Sequence, residues 1–456
     1  MTSKKTLLFI VMIAGILNQA CKKNWLDIKP DKNQVVPKTI PELQALLDNA
    51  QYGMNYFSPG LGEVASDDHY IPEGAWVNAS DNAKNAYSWS RKYSNINSVD
   101  WTASYQRVFT CNLVLDELSK TAAQNTGQAE DYNNCKGQAL FHRAFNFYSL
   151  AQIYAQPYNV LTAGLDLGIP LRLNIDITQT SVRASVAETY KRIIADLDEA
   201  LALLPEKPLY LTRPSKRAAF ALLARVNLVL ENYDKAIDFS DKCLQAGNEL
   251  LDYNTIPPIR GNPGIFNKEV IFHTVISDVY SGFISDYCLV DSMLYRSYAD
   301  NDLRKSLFFE SNPDRTVSFI GNYNNNQDLF AGLATDEIYL IRAESLARNG
   351  NTMAALNDLN FLLQKRWRDG FFNPVKANNP DEALDLVIKE RRKELLLRGL
   401  RWTDLRRLNG DARFKIKLLH PIGGQNYELE PASYKYTFPV PDDIIAISRM
   451  QQNPGW

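Results

Sequence analysis

Residues 215–246 read SKRAAFALLARVNLVLENYDKAIDFSDKCLQA, and the two halves of this stretch differ in a way that sets the fold. In the first half Ala218, Phe220, Ala221, Leu223, Ala224, Val226, Leu228 and Leu230 cover nearly every side of a helix. Only Lys216, Arg217, Arg225, Asn227 and Glu231 interrupt them. A helix apolar all round is one enclosed by neighbours. In the second half Tyr233, Ala236, Ile237, Ser240, Cys243 and Leu244 recur at the three- and four-residue spacing of one helix face, with Asp234, Lys235, Asp238, Asp241 and Lys242 on the other. Two such helices joined by a short turn cannot hide their apolar surface alone. The pattern therefore predicts further hairpins stacked on either side.

Those hairpins can be traced outward. Helical period returns over Asp100–Ser119 and Asn134–Ala155, with His142 inside the second helix as a core or surface residue. Ser185 and Glu188 have capping-box spacing ahead of Tyr190, Ile193, Ile194, Leu197, Leu201 and Leu204. On the other side Thr335 is placed to cap a helix to Arg348, Asn349 and Gly350 turn it, and Thr352–Lys365 returns. Asp381–Leu408 is a last helical stretch with a break at Gly399, and Thr39–Ala50 a short first one. The expected fold is mainly α, an α-α superhelix with hairpins over about 100–155, 185–246, 335–365 and 381–408 and little β beyond one short strand at Glu269–Thr274. Small Ala224 and Ala236 beside Tyr233 resemble tetratricopeptide-repeat spacing, although Asn227 and Ser240 stand where that repeat places larger aromatics.

Two stretches lose the helical period, about 51–99 and 250–332. The first carries Tyr52, Tyr56, Phe57, Tyr70, Trp76, Tyr87, Trp89 and Tyr93 among Gly, Pro, Asn, Asp and Ser. The second scatters Phe266, Tyr280, Phe283, Tyr287, Tyr295, Tyr298, Phe319, Tyr323 and Phe330. Long ordered insertions of this kind are usually functional. Exposed rings flanked by amide, hydroxyl and carboxylate groups suit a ligand that has both apolar faces and hydrogen-bonding groups. Trp76 and Trp89, among polar residues, are the leading candidates, joined by Tyr70, Tyr287 and Tyr323. Asp67 and Asp68 suit three roles: binding hydroxyls, coordinating an ion, or capping a turn. Any one of these rings has core packing as its competing role.

Several functions are disfavoured by what the chain lacks. A net charge of -2 over 456 residues gives no global field for nucleic acid. The basic run Arg391, Arg392, Lys393, Arg398, Arg401, Arg406 and Arg407 is interleaved with Glu390, Glu394 and Asp404, which predicts intramolecular pairs, with Trp402 packed among them. No G-x-S-x-G, H-E-x-x-H or phosphate-binding glycine loop occurs, which makes an enzyme the weakest reading; no CxxC spacing or Cys/His cluster suggests a metal, and no cofactor is expected. Cys111, Cys135, Cys243 and Cys288 can pair in an oxidising compartment. Cys111 and Cys243 fall in apolar stripes and suit small buried hydrophobes.

Met1–Ala20 has Lys4 and Lys5 before the apolar run Thr6–Leu17. A run of about a dozen residues is short for a bilayer and fits a secretory signal. Ala20-Cys21 resembles a bacterial lipoprotein processing site, with Asn18 where that pattern has an aliphatic residue; the resemblance implies lipidation of Cys21. Residues 21–38 read as a tether, docked by Trp25, Leu26 and Ile28.

The segments CKKNWLDIKP (21–30), WTASYQRVFTCNLVLDEL (101–118), ALFHRAFNFYSLAQIY (139–154), ERRKELLLRGLRWTDLRR (390–407) and PVPDDIIAISRMQQNPGW (439–456) together resemble the SusD/RagB family of outer-membrane lipoproteins, in that family's order. The resemblance implies one domain over 39–456 with four tetratricopeptide-type hairpins and a ligand face built by the insertions. It further implies no catalysis, a surface-exposed lipid-anchored place at the outer membrane, capture of a nutrient oligomer, foremost an oligosaccharide and in some members a peptide, and delivery to a SusC-like TonB-dependent transporter. Two other readings compete with it. One is a lipid-anchored repeat scaffold that binds proteins only; the weaker is a secreted glycoside hydrolase, which needs two carboxylates about 5–10 Å apart across a cleft.

Overall fold

The structure, a computed structural model, describes residues 37–92, 99–121, 129–257, 263–321, 323–324 and 326–456. The expected signal segment 1–20, Cys21, the tether through residue 36 with Trp25, Leu26 and Ile28, and Tyr93 lie outside the described residues, as does the side chain of Tyr52.

Eight helices form the frame: α1 (Val99–Thr121), α2 (Ala129–Tyr154), α3 (Val186–Leu203), α4 (Lys216–Val229), α5 (Tyr233–Ala246), α6 (Thr335–Arg348), α7 (Thr352–Gln364) and α8 (Pro380–Glu394). Each packs on its predecessor, and α8 also on α6, so the chain winds as a stack of hairpins. α2 is the innermost rod, with every residue from Gly137 to Tyr148 buried. α4 buries Ala218, Ala219 and an unbroken run from Ala221 to Val229, whereas α5 buries only Ala236, Ser240, Cys243 and Leu244, the stripe its spacing predicts. The capping box at the start of α3 is present: Glu188 N–H donates to Ser185 Oγ at 3.1 Å and Ser185 N–H to Glu188 Oε2 at 2.8 Å. Thr335 does not cap α6. It is the first helical residue, and its hydroxyl instead donates to Glu269 O (3.1 Å) and accepts from Arg217 (2.8 Å), tying α6 to a strand and to α4.

Charged groups inside the stack are paired across helices. Arg143 on α2 grips both oxygens of Asp196 on α3 at 2.8 and 2.7 Å, and Arg225 on α4 likewise grips Glu337 on α6 at 2.7 and 2.5 Å. The four described cysteines are buried free thiols. Strands among the described residues form only two-stranded antiparallel ribbons. The strand expected at 269–274 is Val270–Phe272, paired with Leu333–Ala334.

The insertion 51–99 is more regular than its sequence suggests, holding helices Leu61–Val64, Glu73–Asn78 and Asp81–Tyr87 and the strand His69–Tyr70. Helices of one or two turns are too short to show an apolar period. His69–Tyr70 pairs with Leu289–Val290, so the two insertions are hydrogen-bonded to each other. The carboxylate of Asp100, at the start of α1, accepts Gly60 N–H and Leu61 N–H, at 2.9 Å for the latter.

After α8 the left-handed Gly399 (φ 71°) turns the chain into α9 (Arg401–Leu408), where the sequence predicts the break. Gly399 N–H donates at 2.7 Å to Glu63 Oε2, a carboxyl 2% exposed. Burial is the main reason its pKa is pushed up from 4.5 to about 8, with the charge of Asp68 adding to it. Between those values the fold retains a proton that the unfolded chain has released. Stability from this group is therefore full below pH 4.5 and lost as pH rises through 8. Thermal melts should show Tm declining between pH 5 and pH 8.5, and Glu63→Gln should flatten that decline, each unit of displacement being worth about 1.4 kcal/mol. Parallel declines in the variant and the parent protein would refute this.

Candidate ligand-binding site

A cleft of about 660 Å³ opens where the two insertions meet, and its floor is three backbone segments laid side by side. Val275 N–H donates to Asn55 O (3.0 Å), Ser58 N–H to Val275 O (2.9 Å), Ile276 N–H to Leu329 O (2.8 Å) and Ala331 N–H to Thr274 O (2.9 Å). Residues 273–277 are thus the central rail, with 55–58 on one side and 329–331 on the other. His273 N–H donates to Leu211 O (2.8 Å), fastening the rail to the stretch that leads into α4.

Rings and polar groups alternate around this floor. Tyr56, Phe57, Ile265, Phe266, His273, Asp278, Asn324 and Asp328 all line the cleft, and Phe266 remains 47% exposed. Phe57 and Phe266 both hold left-handed backbone, at φ 70° and 57°. For a bulky residue that conformation costs on the order of 1–3 kcal/mol, and such strain gathers at ligand sites. Phe57 lies edge-on to Tyr56 (centroids 4.8 Å apart) and Phe266 edge-on to His273 (4.9 Å), so each strained ring is braced by a polar one.

The polar groups have defined states. Tyr56 Oη donates to Asp328 Oδ1 at 3.1 Å; burial first, then that carboxylate, push its pKa up to about 12, so it stays protonated. Asn324 Nδ2 donates to Asp328 O (2.6 Å), which turns its Oδ1 toward His273 Nε2 (2.7 Å). His273 is held below its ordinary pKa by burial and is neutral. Nε2 therefore carries the proton, and Nδ1 is left as an acceptor. The arrangement offers flat apolar faces beside hydrogen-bonding groups, the pairing a sugar ring requires.

None of the seven residues singled out from the sequence lines this cleft. Trp89 is 1% exposed, stacked on His420 (4.2 Å) with its indole N–H on Ala65 O, and is a core residue. Trp76 is half-buried beside Tyr87 and Tyr427. Tyr323 is 3% exposed, its hydroxyl oxygen within hydrogen-bond reach of Glu269 Oε2 and of Asp336 Oδ2 (3.1 Å). Asp67 receives Arg401 on both oxygens (2.7 and 2.9 Å) and Asp68 receives Arg392 (2.9 Å). Against the upward push of burial, those arginines hold Asp67 well below the carboxylate range. The pair clamps the first insertion to α8 and α9. Tyr70 lies in the ribbon with Leu289–Val290, and Tyr287, 39% exposed, ends the helix Asp278–Tyr287 that begins at the cleft. Tyr56, Phe57 and Phe266 belong to the two aromatic-bearing stretches, but nothing local separates them from their neighbours. Asn55, His273 and Asn324 carry no sequence signal.

Comparison with known proteins agrees with this architecture. Residues 24–228 match a family model described as starch-binding, associating with the outer membrane, and residues 316–456 match the model of the SusD family. The chain is similar to SusD-like protein P2 of Formosa agariphila, 25% identical over 435 residues, covering 79% of this chain and 80% of that one. Among solved structures it is similar to a SusD superfamily protein from Bacteroides vulgatus (23% identity, 92% of this chain and 100% of that one, TM-score 0.76). It is also similar to a SusD-like carbohydrate binding protein of the same species (22%, 90% and 97%, TM-score 0.69). With the two family models covering 24–228 and 316–456, the chain belongs to the SusD family, described as carbohydrate-binding and associated with the outer membrane.

Proposed function

We propose that this protein captures an oligosaccharide in the cleft between its insertions and passes it unaltered to a SusC-like TonB-dependent transporter, held at the cell surface by a lipid on Cys21. The observation that carries the reading is the exposed Phe266 ring set within a cleft of neutral and acidic hydrogen-bonding groups. A sugar stacked there replaces water on an apolar face while its hydroxyls meet the Asn, Asp and His groups alongside. The anchor rests on Ala20-Cys21 and the apolar run before it, and the hand-off on membership of the family.

Titration of the purified protein with a panel of oligosaccharides tests this. At least one member should bind, and Phe266→Ala should weaken it about tenfold or more, since a ring at the centre of a binding site commonly contributes over about 1 kcal/mol. Phe266 is nearly half exposed, so the variant should keep the parent's Tm. A panel with no binder, or a binder indifferent to Phe266→Ala, defeats the proposal.

A further inference from the structure

The cleft is unequally stocked with acceptors and donors. Asn55 is 4% exposed, and its Nδ2 donates to Thr212 O (2.9 Å) and His273 O (2.7 Å). Two carbonyls on one nitrogen fix which way the amide faces, and Oδ1 is left buried with no partner. A buried acceptor without a donor is costly, and at the wall of a cleft a ligand can supply the missing bond. Asp328 accepts one bond on each oxygen, from Tyr56 and from Asn326 (2.7 Å), and a carboxylate oxygen can take more than one. Asp278 is exposed at the start of its helix, its Oδ1 taking the adjacent Val279 N–H (2.9 Å) and, at 3.5 Å, the Ser277 hydroxyl. No lysine or arginine lines the cleft among the described residues, and the one histidine is neutral.

We infer that the cleft selects a donor-rich oligosaccharide free of acidic groups, its hydroxyl, amide or ammonium hydrogens meeting Asn55 Oδ1 and the two carboxylates, and that it rejects glycans bearing uronate or sulfate. This rests on the proposed binding of an oligosaccharide in this cleft and adds the chemical class. An acidic sugar brings its charge against Asp278 and Asp328 with no cation to offset them, whereas an amino sugar gains from both. It also offers Asn55 Oδ1 fewer hydrogens, since a carboxylate or sulfate only accepts.

The test is titration with oligosaccharides of one length in neutral, N-acetylated, amine-bearing, uronate-bearing and sulfated forms, at low and at high ionic strength. Neutral or amine-bearing members should bind, with uronate and sulfated members weaker by about tenfold or more at low salt and by less at high salt, where screening shortens the reach of the aspartates. Asp328→Asn should narrow the gap. Asp278→Asn, a substitution at an exposed side chain, should narrow it without touching the fold. An acidic member that binds as tightly as its neutral counterpart, and is lost with Phe266→Ala, overturns the selectivity and leaves the proposed function standing. A protein that binds no member at all overturns both.

Discussion

Arg366→Ala is expected to destabilise the protein by about 3–5 kcal/mol, the range for removing one partner of a buried ion pair. Arg366 is fully buried and donates to Glu394 Oε1 (2.6 Å), Glu269 Oε1 (2.7 Å) and Leu251 O (2.7 Å), with its guanidinium 4.1 Å from the Tyr253 ring. Glu394 is shared with Arg304, which also holds Asp302 and Glu390. Glu269 passes the chain on through Tyr323 to Asp336 and Arg398. The network runs from the turn at 302–304 through α8 to Glu269, just before the strand Val270–Phe272 in the second insertion. Removing Arg366 leaves Glu269 as a buried carboxylate with no cation.

Burial already pushes the Glu269 pKa upward against the opposing pull of Arg366. Without that arginine it rises further, and a proton can then relieve the loss. The deficit in Arg366→Ala should accordingly be larger at pH 8 than at pH 5.5 in urea titrations, because a carboxyl with a raised folded pKa stabilises only while protonated. A cavity alone carries no such dependence. Arg366→Met with Glu269→Gln should recover part of the loss, since an unpaired amide is cheaper to bury than an unpaired charge. A deficit equal at both pH values would show that packing, and not charge, is what Arg366 supplies.

The same residues show why the frame could be read from sequence and the site could not. The helices around 215–246 declare themselves because burial on one or several faces repeats within a dozen residues, and the Ser185–Glu188 box is complete inside four. In sequence Trp89 reads as a surface ring because Ser88 and Ser90 flank it. Those hydroxyls bond to each other and to Lys84 O, while the indole is covered by His420, far away in the chain. Asp67 and Asp68 find their arginines across a similar separation. The basic run at 391–407 was legible in kind: Arg391 and Arg407 do reach Asp404. Its longer-range partners, Glu344 for Arg407 and Asp336 for Arg398, were not. Asn55 matters only because residues 273–277 lie alongside it, and nothing near position 55 encodes that neighbour.

Gly332→Ala should damage stability and binding together, because the glycine sits where that neighbour is held. A Cβ there would stand 2.0 Å from Phe272 O and 2.6 Å from the Phe330 ring. Phe272 is 1% exposed within the strand paired to Leu333–Ala334, so its carbonyl has no room to retreat, and Gly332 O is itself held by Arg225 Nη2 at 2.8 Å. Overpacking of a rigid core costs about 1–3 kcal/mol, and a clash with backbone belongs at or above the upper end. His273 follows Phe272, and Phe330 bridges to Val275, so separating the two strands also shifts the rail under Asn55, Phe57 and Phe266. An oligosaccharide bound there should lose about tenfold or more in affinity, as for loss of a central contact. Gly74→Ala is the matching control: that glycine lies in the helix Glu73–Asn78 with nothing within 4 Å of the added carbon, and the change should stabilise by about 0.5–1 kcal/mol with binding unaltered. If Gly332→Ala kept the parent's urea midpoint and its affinity, the strand pair would not be what positions the cleft.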